Sequence, residues 1–257
     1  MNMYIDEKKL PNECYQYTVH LFGFRRELSS IKADAFGSGF IFSYGSNSYL
    51  VTTAHLIWKG DMEDTSALEK DLLIKIDTNI SKDDKVGIID LPLPHNFIYF
   101  TTLDENSESI IFDRYDLTIS VLKKDLPISF FSMELKDFNP SVHGIKRITE
   151  KMIDNFDNHS TYSLSGTVNN RYNKKGELER DSVLITGLKL DKRLVDGTIR
   201  LYNSDFNTRG WNFKGLSGAP IFNNSGKACG MLMSVSKDTN YFTAIPIHQI
   251  IERIFSI

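Results

Sequence analysis

The chain has 257 residues, and its 30 basic and 33 acidic side chains leave a formal net charge of −3 at pH 7. Charges this evenly mixed form no basic stripe, so we expect no nucleic-acid partner. There are two distant cysteines, Cys14 and Cys229, and no N-terminal apolar segment of signal-peptide or membrane-spanning length. These features predict a cytoplasmic protein with reduced thiols, no membrane partner and no metal site.

The first strongly patterned segment is a β-hairpin that leads into a histidine. After a first strand at Tyr15–Phe24, two runs of strand character, Phe40–Tyr44 and Ser48–Thr53, flank a turn that begins with glycine. The second run ends in the sequence TTAH, which places His55 just past a buried strand. A histidine held rigidly there, yet exposed on one side, suits a general base for a hydroxyl nucleophile. The alternative is a structural histidine at a strand end.

A carboxylate that orients this histidine is expected further along the chain. Asp116 opens the segment DLTISVL, in which apolar and polar residues alternate as in a strand. An aspartate that directly opens an apolar strand is the most constrained candidate. Asp113 is its main competitor, and Asp90 is a weaker one.

Helical spacing appears in two places. Between Ile145 and Phe156 apolar residues recur every three or four positions, which predicts an extra helix at about residues 145–157. We interpret it as a surface helix that packs over a core, with an insertion that docks a partner or gates a cleft as the alternative. Similar spacing over Pro246–Ile257 predicts a terminal helix.

The segment most specific for chemistry is KGLSGAPIF, residues 214–222. Ser217 lies between Gly215 and Gly218, and the apolar start of a strand follows. Small neighbours let the backbone fold tightly, so that consecutive N–H groups can point at one spot beside the serine hydroxyl. An oxyanion would form at that spot during acyl transfer, which makes Ser217 the predicted nucleophile.

The chain order His55, Asp116, Ser217 is one of several in which this trio occurs on unrelated folds. Together with the segments TTAH, DLTISVL and GLSGAP, it resembles the trypsin-like serine proteases of the chymotrypsin fold. The segment TYSLSGTVNN and the ending GKACGML followed by YFTAIPI are similar to the compact bacterial intracellular and heat-shock-like branch of that family. The matched segments lie between about residues 36 and 250.

The resemblance implies an all-β fold. Two six-stranded antiparallel β-barrels would hold the active site in the cleft between them, with the extra helix near 145–157 and the C-terminal helix added. We expect an N-terminal arm over residues 1–14 and a first barrel over 15–125, which carries the histidine and the aspartate. The second barrel, over 126–257, carries the serine.

The resemblance also implies a serine endopeptidase that works through an acyl-enzyme and needs no cofactor. The backbone N–H groups of Gly215 and Ser217 would form the oxyanion hole. In the family, the residue six positions before the serine lies at the base of the pocket for the side chain that precedes the cut. That residue is Trp211, for which core packing is an equal alternative. In the pocket it would favour substrates with a small or apolar residue before the cut. The other expected substrate-binding residues are Met233, Ser234, Val235 and Tyr241.

Two residues depart from the digestive relatives. Leu216 stands where those enzymes carry the acidic residue that pairs with a newly formed N-terminus, so activation by N-terminal trimming is not expected. Ala219 stands where those enzymes carry a second glycine. Its methyl group is tolerated there if the residue has a φ below zero.

The activity of a cytoplasmic protease has to be controlled, which suggests an activating sensor or regulatory protein. By analogy, the protein would act in bacterial antiviral defence or signalling. The expected substrate is a protein or peptide. The main alternative is a catalytically inactive peptide-binding module, and an esterase using the same trio is a further one.

Overall fold

A computed structural model of the chain describes residues 11–25, 33, 35–56, 72–77, 88–89, 97–99, 101–104, 109–112, 116–122, 132–133, 142–143, 146–176, 178–206, 211–236 and 239–257. Strands dominate this part of the chain, and an α-helix stands near each end. Short 3-10 turns lie at Ala54–Leu56 and Glu150–Met152.

Among the residues that the structure describes, the first half contributes one helix and eleven strands. They are α1 (Pro11–Tyr17), β1 (Val19–Arg25), β2 (Ala35–Tyr44), β3 (Asn47–Thr52), β4 (Leu72–Asp77), β5 (Ile88–Ile89), β6 (Phe97–Tyr99), β7 (Thr101–Asp104), β8 (Ser109–Phe112), β9 (Thr118–Leu122), β10 (Ser132–Met133) and β11 (Val142–His143).

The second half contributes seven strands and the terminal helix. They are β12 (Ile148–Thr149), β13 (Tyr162–Tyr172), β14 (Leu178–Arg193), β15 (Ile199–Tyr202), β16 (Pro220–Asn223), β17 (Ala228–Val235), β18 (Tyr241–Pro246) and α2 (Ile247–Phe255).

The first sheet has the strand order β5-β4-β1-β2-β3-β9-β6, and β12 joins β2 in parallel. The predicted hairpin is present as β2 and β3, which are joined by a two-residue turn with Gly45 at a φ of 56°. Thr52 at the end of β3 lies opposite Gly39 on β2 and Thr118 on β9. The end of β3 therefore lies between β2 and the start of β9. We call this end of the sheet the site edge.

The second sheet is a closed barrel with the order β13-β14-β15-β18-β17-β16, all neighbours antiparallel. Its interior is a compact apolar cluster. Fully buried members include Tyr162, Leu164, Leu201 and Phe242. The predicted second barrel is confirmed. In the first sheet the described end strands β5 and β6 do not pair with each other, so closure of a first barrel stays a prediction.

A second apolar cluster, the junction core, joins the two halves. The first sheet contributes Phe40, Phe42, Val51 and Ile119, the barrel Phe222 and Met231, and α2 Ile247, Ile250 and Ile254. The predicted C-terminal helix is confirmed, and it packs on both halves rather than on the barrel alone. Its exposed end places Phe255 edge-on against Tyr44 of the hairpin, with ring centroids 4.7 Å apart.

The predicted helix at 145–157 is wrong. Residues 148–149 form β12, a 3-10 turn follows, and Ile153 makes a parallel bridge to Ala228. The apolar spacing has another cause, because the residues enter different cores. Ile148 is buried in the junction core, whereas Phe156 packs on Tyr162 in the barrel, 4.9 Å between ring centroids.

The N-terminal segment also differs from the prediction. The first strand begins at Val19 rather than Tyr15, because Pro11–Tyr17 is helical. This helix contacts β13 and β16 of the barrel, and Cys14 is buried in the junction core. The part of the predicted arm that is described therefore packs on the second half. The predicted boundary near residue 125 lies outside the described residues. No described helix is long and apolar enough to cross a membrane.

Helix α2 gives a direct test of the junction core. Replacing Ile250, which is fully buried, with alanine should lower the free energy of unfolding by about 2–5 kcal/mol, because a cavity opens between the halves. The exposed Glu252 on the same helix is the matched control, and its alanine variant should change stability by about 0.5 kcal/mol or less. Urea unfolding measures both, and equal effects would contradict the shared core.

Candidate active site

His55 and Asp116 meet at the site edge. His55 lies in the 3-10 turn just after β3, and Asp116 lies just before β9. One carboxylate oxygen of Asp116 accepts the backbone N–H of His55 at 2.8 Å, and the other is hydrogen-bonded to Nδ1 of the imidazole. Two bonds from one carboxylate fix both the backbone and the ring of His55. The histidine side chain is 48% exposed and that of the aspartate 16%, so part of the imidazole ring remains open to solvent.

Ser217 lies in a tight turn before β16 and is half-buried. Two glycines in this turn have left-handed backbones, with φ of 107° at Gly215 and 93° at Gly218. A β-carbon at Gly218 would lie 1.8 Å from the carbonyl oxygen of Ser38, and one at Gly215 would lie 2.3 Å from Nδ2 of Asn170. Only glycine fits these two positions, since both the φ angle and the space exclude a side chain.

Ser38 on β2 ties this turn to the site edge. Its backbone N–H donates to the carbonyl of Ser217 at 2.8 Å, and its hydroxyl donates to the carbonyl of Gly215 at 2.6 Å. Its own carbonyl accepts the hydroxyl of Thr52 at 2.6 Å. Because Thr52 precedes His55 by three residues, these bonds bring the turn of Ser217 to the same edge as His55 and Asp116. Ser38 is fully buried, so water does not compete for these bonds.

Two backbone N–H groups of the turn are candidates for an oxyanion hole. Among the described residues, the N–H groups of Gly215 and Ser217 donate to no acceptor, whereas those of Leu216 and Gly218 donate to Phe213 and Leu232. These are the two positions that the sequence predicts for an oxyanion hole. In the described residues no hydrogen bond joins the side chains of His55 and Ser217.

Leu216 has a structural role in place of the acidic residue of the digestive relatives. It is fully buried in the barrel core. A β-carbon on Gly166 would lie 2.6 Å from its Cδ1 atom, so the leucine fills the space above that glycine. Burial of a leucine side chain contributes about 1.5–3 kcal/mol. The turn is therefore anchored by apolar packing, with no ion pair at that position.

Trp211 belongs to a group of aromatic side chains beside the barrel. It stacks on Phe213, 6.4 Å between centroids at 19°, and lies 5.9 Å from Phe206. Phe206 in turn contacts Phe242 of the core. The tryptophan is half-buried, so one part packs on the core and another part faces outward. Core packing therefore accounts for part of this side chain, and pocket lining stays a prediction.

The remaining predicted substrate residues lie on two neighbouring strands, β17 and β18. Met233 packs against the junction core and Val235 against the barrel core, while Ser234 between them is exposed. Tyr241 begins the adjacent strand β18, where its carbonyl accepts the N–H of Ser236 at 3.0 Å. Its ring lies under the guanidinium of Arg200 at 4.2 Å and 5.5 Å from the ring of Tyr202.

The pairing of β17 with β16 ends at Met231, which lies opposite Pro220. Beyond that residue β17 still pairs with β18 on its other side. On the β16 side the N–H of Leu232 donates to Ala219 at 2.9 Å, and no further strand pairs with residues 233–235 in the described chain. This edge of β17 lies directly beside the turn that contains Ser217, which we call the nucleophile turn after its predicted role. It can pair with an extended peptide backbone.

Sequence reasoning missed three polar residues that build the site, namely Ser38, Thr52 and Asn170. Each sits in a strand at a position where its side chain is buried. The only local signal was a polar residue at an inward-facing strand position, which is costly unless a hydrogen bond satisfies it. The competing carboxylates Asp90 and Asp113 lie outside the described residues.

Solved structures resemble this fold. The protease of tobacco vein mottling virus has a TM-score of 0.51 and 9% identity, covering 96% of this chain and 83% of that chain. The serine endoprotease from Yersinia pestis has a TM-score of 0.47 and 12% identity, covering 98% and 67%. Deg5 has a TM-score of 0.47 and 13% identity, covering 97% and 95%. No family model and no curated protein matches the sequence.

The likeness to the tobacco vein mottling virus protease and the architecture together define the fold. The chain has the fold of the trypsin-like, chymotrypsin-fold serine proteases, with a closed six-stranded barrel, a second sheet and a C-terminal helix. The predicted all-β class, with a closed six-stranded barrel, a second sheet and a C-terminal helix, is confirmed. At identities this low the likeness defines the fold, and the chemistry has to be argued from the site.

The Ser38 bonds predict a measurable cost. Replacing Ser38 with alanine removes the donor to a buried carbonyl, so the free energy of unfolding should fall by about 1–3 kcal/mol. Ser43 on the same strand is the control, because its hydroxyl meets only Ser48 at 3.2 Å in the half-buried hairpin. Its alanine variant should stay within about 0.5 kcal/mol of wild type. Urea unfolding that finds both variants alike would rule out a special role for Ser38.

Proposed function

We propose that the chain is a serine endopeptidase that hydrolyses peptide bonds of protein substrates through His55, Asp116 and Ser217. The observation that carries this proposal is the double engagement of His55 by the Asp116 carboxylate at the edge to which Ser38 ties the nucleophile turn. A purely structural histidine at a strand end needs no such carboxylate. The arrangement holds the imidazole with Nδ1 toward the aspartate, so that Nε2 is left for proton transfer.

In the proposed reaction the Ser217 hydroxyl oxygen attacks the peptide carbonyl carbon while Nε2 of His55 takes the hydroxyl proton. Asp116 stabilises the imidazolium that results. The tetrahedral intermediate expels the amine, which receives the proton from His55, and an acyl-serine ester remains. Water then attacks the ester, with His55 again as the base, and the acid product leaves. The bond between serine and histidine would form when substrate binds, since such catalytic bonds are often long before then.

The oxyanion of each intermediate would lie between the N–H groups of Gly215 and Ser217. These groups have no other acceptor among the described residues, and they belong to a buried turn that glycine geometry and apolar packing hold in place. Fixed donors of this kind need no reorganisation when charge develops, and each contributes about 2.7–4 kcal/mol to transition-state stabilisation.

A catalytically inactive peptide-binding module is the alternative function. The unpaired edge of β17 would serve a binder as well as an enzyme. The Asp116–His55 contact favours the enzyme, because gripping a peptide backbone requires neither a polarised imidazole nor a serine in a glycine-bounded turn.

Activation by a partner protein, with a role in bacterial defence or signalling, stays a prediction. The helix predicted at 145–157, for which docking a partner or gating a cleft was the alternative interpretation, is instead β12 and a turn. Fluorophosphonate labelling of the purified protein, measured with and without bacterial lysate, tests for an activator directly.

Covalent labelling separates the enzyme from the binder. A fluorophosphonate should modify the purified protein on Ser217, and Ser217→Ala should abolish labelling. His55→Ala should slow it by more than about 10³-fold, since base and nucleophile act as a unit. His248 is exposed on helix α2, and its alanine variant should label at the wild-type rate. Labelling that survives Ser217→Ala would reject this nucleophile, and absence of labelling in every condition would favour the binding module.

Cleavage of a peptide library tests the pocket. Because Trp211 presents an aromatic surface where trypsin carries an aspartate, substrates with a small or apolar residue before the cut should be cleaved at least about 10-fold faster than those with Lys or Arg. An apolar wall cannot repay the desolvation of a cation. The Trp211→Ala variant should shift the preference toward larger apolar residues. A wild-type preference for basic residues would contradict the assignment of Trp211 to the pocket.

A further inference from the structure

Strand β13 carries a bulge just beside the nucleophile turn. Val168 pairs with Asp181, but the next pair joins Arg171 to Glu179, so that Asn169 and Asn170 together face one residue of the partner strand. Asn169 has a φ of 55°, the only left-handed non-glycine backbone among the described residues. Bulges of this kind re-aim side chains near active sites. Here the bulge turns Asn170 inward, where it is 7% exposed.

Both asparagines hold the segment that leads into the turn. The N–H of Asn169 donates to the carbonyl of Asn212 at 2.8 Å, and the N–H of Asn212 donates back to Oδ1 of Asn169 at 2.9 Å. The side-chain Nδ2 of Asn170 donates to the carbonyl of Lys214 at 2.6 Å. The last of these bonds acts on the peptide group that joins Lys214 to Gly215.

That peptide group decides where the Gly215 N–H points. A trans peptide is planar, and its C=O and N–H point in opposite directions. Holding the Lys214 carbonyl toward Asn170 therefore directs the Gly215 N–H away from it. Glycine allows the peptide to rotate to the opposite orientation at little steric cost, so an external bond is needed to fix it. The peptide before Ser217 is fixed in the same manner, because Ala219 donates to the Leu216 carbonyl at 3.1 Å.

The Asn170 amide has a cost that stability alone does not explain. Its Oδ1 atom is buried and has no hydrogen-bond partner among the described residues. A buried amide with one satisfied end is less favourable than an apolar residue of similar size. Groups that persist in this state are often retained for function.

We propose that Asn170 is a positioning residue for the oxyanion hole: it holds the peptide between Lys214 and Gly215 in the orientation that presents the Gly215 N–H to the reacting carbonyl. This inference rests on the proposed peptidase function. Asn170 does not touch substrate, and it acts only through the Lys214 carbonyl.

The test uses the full chain and a matched pair of asparagines. Asn203 is 6% exposed, lies at the end of β15 in the same barrel, and donates through Nδ2 to the Thr186 carbonyl at 2.7 Å. It matches Asn170 in burial and in the Nδ2 bond to a backbone carbonyl, and no hydrogen bond joins it to the turn of Ser217. Its Oδ1 differs, because it accepts the N–H of Asp205 at 2.9 Å. Asn170→Asp and Asn203→Asp keep the side-chain shape and replace the donor with an acceptor.

Fluorophosphonate labelling rates and thermal unfolding are measured for wild type, Ser217→Ala and both aspartate variants. The phosphoryl oxygen of the adduct requires the oxyanion hole, so Asn170→Asp should label about 10²-fold more slowly, as when one oxyanion donor is removed. Asn203→Asp should label within about threefold of wild type at a similar loss of melting temperature. With a cleaved peptide, Asn170→Asp should lower kcat and leave KM within about threefold.

The outcomes are distinct. Equal labelling of the two aspartate variants would overturn the role of Asn170 while leaving the peptidase function intact. A wild-type protein that is never labelled would remove the proposed function and this inference together. If Asn170→Asp does not fold, the pair Asn170→Ala and Asn203→Ala is compared in the same way, with the same rates expected and the same result decisive.

Discussion

The site depends on one buried serine. Ser38 holds the nucleophile turn through two bonds, to Gly215 and Ser217, and is itself held by Thr52 on the neighbouring strand. No covalent link or ion pair in the described residues duplicates this joint. Because Thr52 leads directly to His55, a shift of the turn relative to the first sheet would have to break these bonds. The relative position of His55 and Ser217 is thus set by hydrogen bonds that are protected from water.

The same logic extends along the turn. Four successive carbonyl oxygens, from Lys214 to Ser217, each accept a bond on the inner side: from Asn170, from the Ser38 hydroxyl, from Ala219 and from the Ser38 N–H. With every carbonyl occupied, the orientation of each peptide plane is determined. The N–H groups at 215 and 217 are left on the outer side. A strongly polar feature therefore arises from backbone groups, and the two side chains that help to fix it, Asn170 and Ser38, come from two different strands.

Local patterns in the sequence were sufficient for the hairpin, for the turn around Ser217 and for α2, because a two-residue turn, paired glycines and isoleucines at helical spacing are each determined by neighbours in the chain. They failed at 145–157, where Ile148 and Phe156 show helical spacing but are buried in two different cores. They were silent on Asn170, since its inward direction comes from a bulge against a distant strand. Contacts between halves cannot be inferred from alternation within one segment.

The junction core has a consequence for how the chain reaches its final form. The isoleucines of α2 complete a cluster to which residues near position 40 already contribute. During synthesis on the ribosome, the early strands therefore lack these contacts until a segment more than 200 residues later in the chain has been made. Until those isoleucines leave the exit tunnel, the halves lack much of their shared apolar seam. The two halves can therefore pack together fully only after helix α2 has been made.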